Sequence, residues 1–194
     1  MSSEEQLIRR ARTDPRAFGE LYDRYYPKIF GYVFRATTDY AVACDITSET
    51  FLKAWIKLGS FKWKGISISS WFFRIATNEI NQYFRRRSYT PHTVMEQSLL
   101  GLSSWGNGAF PIDRSVNPYL RLEKLEEYRW IHTLLDRLPP IYRTVIVLRY
   151  FEDLGIREIA EILDKKETTI RSLLFRGLER LKKLFPPAAT NNTP

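Results

Sequence analysis

The chain has 194 residues, 44% of them hydrophobic and 27% charged, with a net charge of +8. That apolar content suffices to bury a core in one or two compact units, which excludes disorder throughout. The lone cysteine, Cys44, excludes an internal disulfide and, with only His92 and His132 as further soft ligands, a zinc site; a reduced compartment, no metal and no cofactor are expected.

Residues 1–14 carry Glu4, Glu5, Arg9, Arg10 and Arg12 with no apolar run behind them, unlike a secretory signal, and no later segment reaches membrane-spanning length. A cytoplasmic protein without membrane insertion is expected. Helical periodicity dominates and strand-like alternation never persists, so the fold is expected to be all-α, as two small helical domains joined by a flexible linker. Asp14-Pro15 predicts a capped helix start, followed by an apolar stripe of Phe18, Leu21, Tyr22, Tyr25, Ile29 and Val33 that ends near Ala36-Thr37-Thr38. A second helix is expected from Tyr40 to Leu58, with Ile46, Phe51, Leu52 and Trp55 inward and Asp45, Glu49, Lys53 and Lys57 outward, closed by Gly59-Ser60. After a loop from Phe61 to Ser70, Trp71 to Arg87 forms a third, with Phe72, Ile75, Ile80 and Phe84 inside.

From Ser88 to about Pro118 the periodicity fails as Ser, Gly, Asn and Pro accumulate. Such a length is too great for an ordinary loop within one domain, so it marks a boundary, a linker over 89–119 between domains at 5–88 and 120–185. Helices resume at Tyr119 to Leu138, stop at Pro139-Pro140 and continue through Ile141 to Phe151. A helix-turn-helix then spans Leu154 to Lys183, and a disordered tail over 186–194 is expected.

The charge is not spread evenly. Residues 71–88 carry a net +3 and residues 164–185 a net +4, nearly the whole excess on two helices, which suits a polyanion better than general solubility. In the helix-turn-helix, Ile159 and Leu163 share a face, Ala160 admits a close crossing, and Ile170, Leu174 and Leu181 form the buried stripe of the next helix. Opposite lie Thr169, Arg171, Ser172, Phe175 and Arg176, types suited to phosphates and base edges at the start of a recognition helix; an ordinary helical hairpin has the same spacing. Asp164 occupies the turn, where a left-handed residue is needed. Upstream, Phe61-Lys62-Trp63-Lys64, Trp71-Phe72-Phe73-Arg74 and Tyr83-Phe84-Arg85-Arg86-Arg87 interleave aromatics with cations. That combination stacks unpaired bases and holds their backbone, although many of these rings must belong to the core.

Four segments in order carry a more specific signal. Asp45-Ile46-Thr47-Ser48-Glu49-Thr50-Phe51-Leu52-Lys53-Ala54-Trp55, Trp71-Phe72-Phe73-Arg74-Ile75-Ala76-Thr77-Asn78, Leu138-Pro139-Pro140-Ile141-Tyr142-Arg143 and Arg157-Glu158-Ile159-Ala160 resemble the successive motifs of the extracytoplasmic function (ECF) sigma factors of bacterial RNA polymerase. The resemblance implies a promoter-specificity subunit with no catalytic chemistry, not an enzyme. It places docking on the beta-prime coiled coil at Asp45, Thr47, Glu49, Phe51, Lys53 and Trp55, with Asp45, Glu49 and Lys53 making the polar contacts and Phe51 and Trp55 mostly packing, and with the beta flap as a further polymerase contact. Melting and minus-ten recognition fall to Phe61, Lys62, Trp63, Lys64, Trp71, Arg74, Asn78, Arg85, Arg86 and Arg87, with one base held outside the stack. Minus-thirty-five reading falls to Lys165, Lys166, Thr168, Thr169, Arg171, Ser172, Phe175, Arg176 and Arg180. An anti-sigma partner is a further implication. The chain departs from the family pattern at Cys44, Ser48, Gln82 and Leu173, which bears on promoter sequence.

The residues alone also fit a stand-alone helix-turn-helix regulator of duplex DNA. That alternative leaves the Asp45 to Trp55 surface and the Arg85-Arg86-Arg87 cluster without a role.

Overall fold

A computed structural model describes residues 3–61, 67–89 and 130–184, and every regular element among them is helical. Helix α1 (Ser3–Ala11) was not foreseen from the sequence; Leu7, Ile8 and Ala11 bury its inner edge against α2. Helix α2 (Pro15–Thr37) starts where the Asp14-Pro15 pair requires, with the Asp14 carboxylate accepting from the Arg16 N–H. It ends at Thr38, whose left-handed backbone (φ 58°) lets its N–H return to the Phe34 carbonyl at 2.7 Å. One residue later the Asp39 carboxylate caps α3 (Tyr40–Lys57) by accepting from the Val42 N–H. A 3-10 turn over Leu58–Ser60 closes α3.

Helix α4 (Ile68–Tyr89) begins three residues earlier than the sequence pattern suggests and runs two further. Phe72, Phe73, Ala76 and Ile80 are fully buried where it crosses α2 and α3. Inside this unit the Tyr32 hydroxyl lies 2.7 Å from Thr77 Oγ1, and Thr77 in turn donates to the Phe73 carbonyl. Tyr32 must therefore be the donor, which satisfies a hydroxyl that would otherwise be costly to bury.

The C-terminal half opens with a helical segment at residues 130–136, here α5. Pro140 then starts α6 (Pro140–Tyr150) at a first-turn position, where its missing N–H is harmless. Six consecutive α6 residues, Arg143 to Leu148, are buried, so the helix is covered on every side, by α2, α7 and α8. Helix α7 (Ile156–Leu163) is capped by Glu158, which accepts from the Gly155 N–H at 2.8 Å. Asp164 takes the expected left-handed turn (φ 52°) into α8 (Glu167–Leu184), where Ile170, Leu174 and Gly177 are buried. A Cβ on Gly177 would sit 2.9 Å from Ile146 Cδ1, so glycine sets how closely α8 approaches α6. Leu181 is only partly buried.

The two halves are in contact: α2 packs on α6, and α4 on α7. The expected linker over 89–119 lies outside the described residues except for Tyr89, which belongs to α4; the Tyr119 end of the next helix and the tail also lie outside them.

Candidate nucleic-acid interface

The helical repeat of α3 divides the expected docking residues into two groups. Asp45, Ser48, Leu52, Trp55 and Ile56 point outward, with Leu52 54% and Ile56 69% exposed. Leu52 was expected inside and Ile56 had no assignment; they follow Ser48 at intervals of four, one helical face. Trp55 stands edge-on to Phe18 at 4.7 Å and keeps 39% of its surface exposed. Thr47, expected at the docking face, is buried, and so is Phe51, as its inward position in the helical pattern predicts. Thr47 is fully enclosed, and Phe51 packs on Tyr22 and Phe72, so neither side chain can meet a partner directly. Lys53 was expected to point outward, yet its ammonium lies 2.6 Å from Glu79 of α4 and 3.1 Å from Glu49. The hydrogen bond to Glu79 holds its pKa above the ordinary lysine value.

On α4 the outward face carries Arg74, Asn78, Asn81 and Arg85, with Arg86 and Arg87 beside its end. Asn81 escaped the sequence reading, although it lies seven residues after Arg74 and so on the same face. Glu79, the helix's only carboxylate, is turned inward to Lys53, which leaves the outer face uniformly basic or neutral. Phe61, expected to contact DNA, is buried against Trp71 at 4.8 Å, and Trp71 also packs on Phe72 at 5.7 Å. Those rings form a floor, held from α1's end by Arg12, which donates to the Phe61 carbonyl at 2.6 Å. Lys62, Trp63 and Lys64 lie outside the described residues.

The start of α8 presents Lys165, Lys166, Thr168, Thr169, Arg171, Ser172, Phe175 and Arg176, all exposed, and Phe175 is an aromatic with 68% of its surface exposed. Their clustering at a helix N-terminus adds the favourable end of the macrodipole to five-donor guanidinium groups, a combination suited to phosphate and base edges. Arg171 is held by Glu167 one turn earlier at 3.5 Å. Arg180 leans back over the Tyr142 ring at 5.1 Å, at the far margin of this face.

Three surfaces thus share one small scaffold: an apolar-polar stripe on α3, a basic face on α4 and a basic helix start on α8. Residues 21–90 match the family model described as Sigma-70 region 2, and residues 128–181 the one described as Sigma-70, region 4. Over 170 residues the chain is 31% identical to the ECF RNA polymerase sigma factor SigW of Bacillus subtilis, covering 88% of this chain and 89% of that protein. It is 30% identical over 188 residues to the ECF RNA polymerase sigma factor BldN of Streptomyces coelicolor, covering 95% of this chain and 66% of that longer relative. In fold it is similar to CnrH, solved in complex with the cytosolic domain of CnrY (TM-score 0.65, 20% identity, 94% of this chain and 97% of that one). A second similar structure is RpoE of Bartonella quintana, solved with the anti-sigma factor NepR (TM-score 0.60, 20% identity, 86% and 94%). The chain belongs to the ECF sigma factors of bacterial RNA polymerase. It is a promoter-specificity subunit, which directs core polymerase to a subset of promoters.

Proposed function

We propose a division of labour among the three surfaces. The outward stripe of α3, led by Asp45, Leu52, Trp55 and Ile56, docks on the beta-prime coiled coil of core polymerase. The α4 face of Arg74, Asn78, Asn81 and Arg85 to Arg87, with Lys62, Trp63 and Lys64 ahead of it, engages the opened minus-ten element. The α8 start, from Lys165 to Arg176, reads the minus-thirty-five element in the major groove. The segments 5–88 and 120–185 act as the two working domains, 89–119 as the tether between them and 186–194 as a tail. The protein acts in the cytoplasm, with no catalytic chemistry of its own, and an anti-sigma factor is its expected regulator. No described helix is long and apolar enough to cross a membrane.

The observation that carries this reading is the alternation on α3 and α4. The partly buried ammonium of Lys53 is matched by Glu79 across the helix crossing, while the apolar side chains of Leu52, Trp55 and Ile56 and a face of α4 without carboxylates are left outward. Run-off transcription from a genomic promoter library, with core polymerase and with or without this protein, tests it. New starts that share two spaced upstream motifs are expected. Silence alongside tight duplex binding without core would favour the stand-alone regulator.

A further inference from the structure

Helix α1 is tied at its end to a distant point of the chain. The turn between α1 and α2 closes on Arg10, whose carbonyl accepts from the N–H groups of Thr13 and Asp14 at 3.1 and 3.0 Å. Arg12 sits within that turn, and its guanidinium reaches 49 positions along the chain to donate to the Phe61 carbonyl at 2.6 Å. The helix that carries it is pinned on α2 by the buried Leu7, Ile8 and Ala11, by the Tyr25 hydroxyl donating to Glu4 and by the Arg10–Glu20 ion pair at 3.2 Å. Among the described residues no carboxylate lies within 4.0 Å of Arg12, so an ion pair does not draw its guanidinium away from Phe61.

Phe61 immediately precedes the segment Lys62-Trp63-Lys64-Gly65-Ile66. It is fixed in three ways: its N–H donates to the Leu58 carbonyl at 3.1 Å, its carbonyl accepts from Arg12, and its ring packs on Trp71 at 4.8 Å. The far side of the segment is fixed as well. Ser67 immediately precedes α4, and its carbonyl and hydroxyl both accept from the Ser70 N–H, at 3.1 and 3.3 Å. Five residues thus join two anchored ends. A short span with held ends has less conformational freedom to lose when it closes on a ligand, so the anchors preorganise it.

We propose that Arg12 is a positioning residue for promoter opening: by holding the Phe61 carbonyl it presets the direction in which Lys62, Trp63 and Lys64 leave the scaffold to capture a base of the melted strand. This rests on the assignment of that segment to the minus-ten element. The Phe61 carbonyl shares one rigid peptide plane with the Lys62 nitrogen, so the bond from Arg12 fixes the ψ of Phe61 at 121° and with it the course of the chain that follows. A charge-assisted bond is the stronger kind of restraint for that purpose. Losing it frees the plane while the Trp71 packing and the Leu58 bond keep the Phe61 ring and N–H in place. Arg12 itself is exposed, so its side chain is not part of the core that holds α1 to α2.

Opening kinetics of the full-length protein with core polymerase test this, on a promoter recovered by the run-off experiment and carrying 2-aminopurine in its minus-ten region. Arg12→Met keeps an aliphatic stem and removes the donor. Opening should slow by about threefold to tenfold, with core affinity and thermal unfolding as in the wild type. Arg12→Lys, which keeps a cationic donor, should recover most of the rate. Fork templates with an abasic site scanned through the non-template minus-ten strand then locate the captured base, as the position where Trp63→Ala and the wild type become equal. Arg12→Met should become equal to the wild type at that same position, which a general loss of stability could not produce. The salt slope of promoter binding should be unchanged by Arg12→Met. A decrease of about one would make Arg12 a phosphate contact and overturn the positioning role. Opening at the wild-type rate, or a defect that persists undiminished at the abasic position, would overturn it too. Normal opening by Trp63→Ala would instead overturn the assignment of the segment, and the inference with it, so the two failures are read from different variants.

Discussion

Lys53 Nζ lies 2.6 Å from Glu79 Oε2, so the residue expected to reach outward to polymerase is a strut between α3 and α4. Glu79 is the more enclosed partner, 11% exposed against 30% for Lys53. Removing the ammonium by Lys53→Met should strand a carboxylate in a crevice and cost about 1–2 kcal/mol in denaturant unfolding. Core-polymerase affinity should be unchanged at temperatures where the variant stays folded, whereas Asp45→Lys should lower it with no loss of stability. Equal effects of both substitutions on core binding would return Lys53 to the docking face.

Gly177 tests the crossing of α8 on α6. Gly177→Ala gains up to about 1 kcal/mol of helix propensity. The new methyl meets Ile146 Cδ1 at 2.9 Å, inside a buried core that cannot shift freely. Ile146→Val removes that methyl, so the double variant should be more stable than the sum of the single changes by about 1 kcal/mol in a double-mutant cycle. Simple additivity would mean that the core yields at this point.

His132 gives the domain contact a pH dependence. Burial, reinforced by the Arg35 and Arg143 cations and opposed by Asp136, pushes its pKa down to about 4. Once the halves separate or unfold, the imidazole returns toward its ordinary value of about 6.5 and binds the proton that the packed form refuses. Stability from this group is therefore complete above about pH 6.5 and is lost as pH falls toward 4, an effect of about 1–3 kcal/mol. Comparing thermal unfolding of the wild type and His132→Gln between pH 7.5 and 4.5 isolates it from carboxylate titration. Parallel curves would show that His132 does not carry the dependence.

Arg171 and Arg176 lie five residues apart on the exposed start of α8, and each Ala substitution should weaken binding to a minus-thirty-five duplex by about 1–3 kcal/mol if it meets a base edge. A contact to phosphate alone should instead weaken all sequences uniformly and reduce the salt slope by about one. Changes at Trp63 or at Arg85 to Arg87 should impair promoter opening more than initial binding. Permanganate footprints of the melted region check that separation; unchanged footprints in those variants would overturn it.

The boundaries at Asp14, Pro140 and Asp164 were legible because caps, prolines and tight turns act on groups a few residues away, whereas the Asp39 cap of α3 went unread. Helix α1 was not legible, since its charged residues hide three buried positions, Leu7, Ile8 and Ala11, that gain meaning only against α2. The docking face was half legible. Type and spacing placed Asp45 outside and Phe51 inside, but they also put Leu52 and Trp55 inward and Lys53 outward, and inferring contact from a motif misplaced Thr47; Thr47 and Lys53 serve the helix crossing instead. Nothing local foretold the meeting of Arg35 with Glu152, 117 positions apart, because each is an ordinary surface residue until the other half arrives.

In α8, Ile170, Leu174 and Gly177 hold the fold while Thr168, Thr169, Arg171, Ser172, Phe175 and Arg176 face away from it. The two sets share no side chain, so the outward letters can be rewritten without disturbing the inward ones. Promoter preference is in that sense an exchangeable part: grafting the six outward residues of another family member onto this helix should transfer its vocabulary and leave the grammar of the scaffold intact.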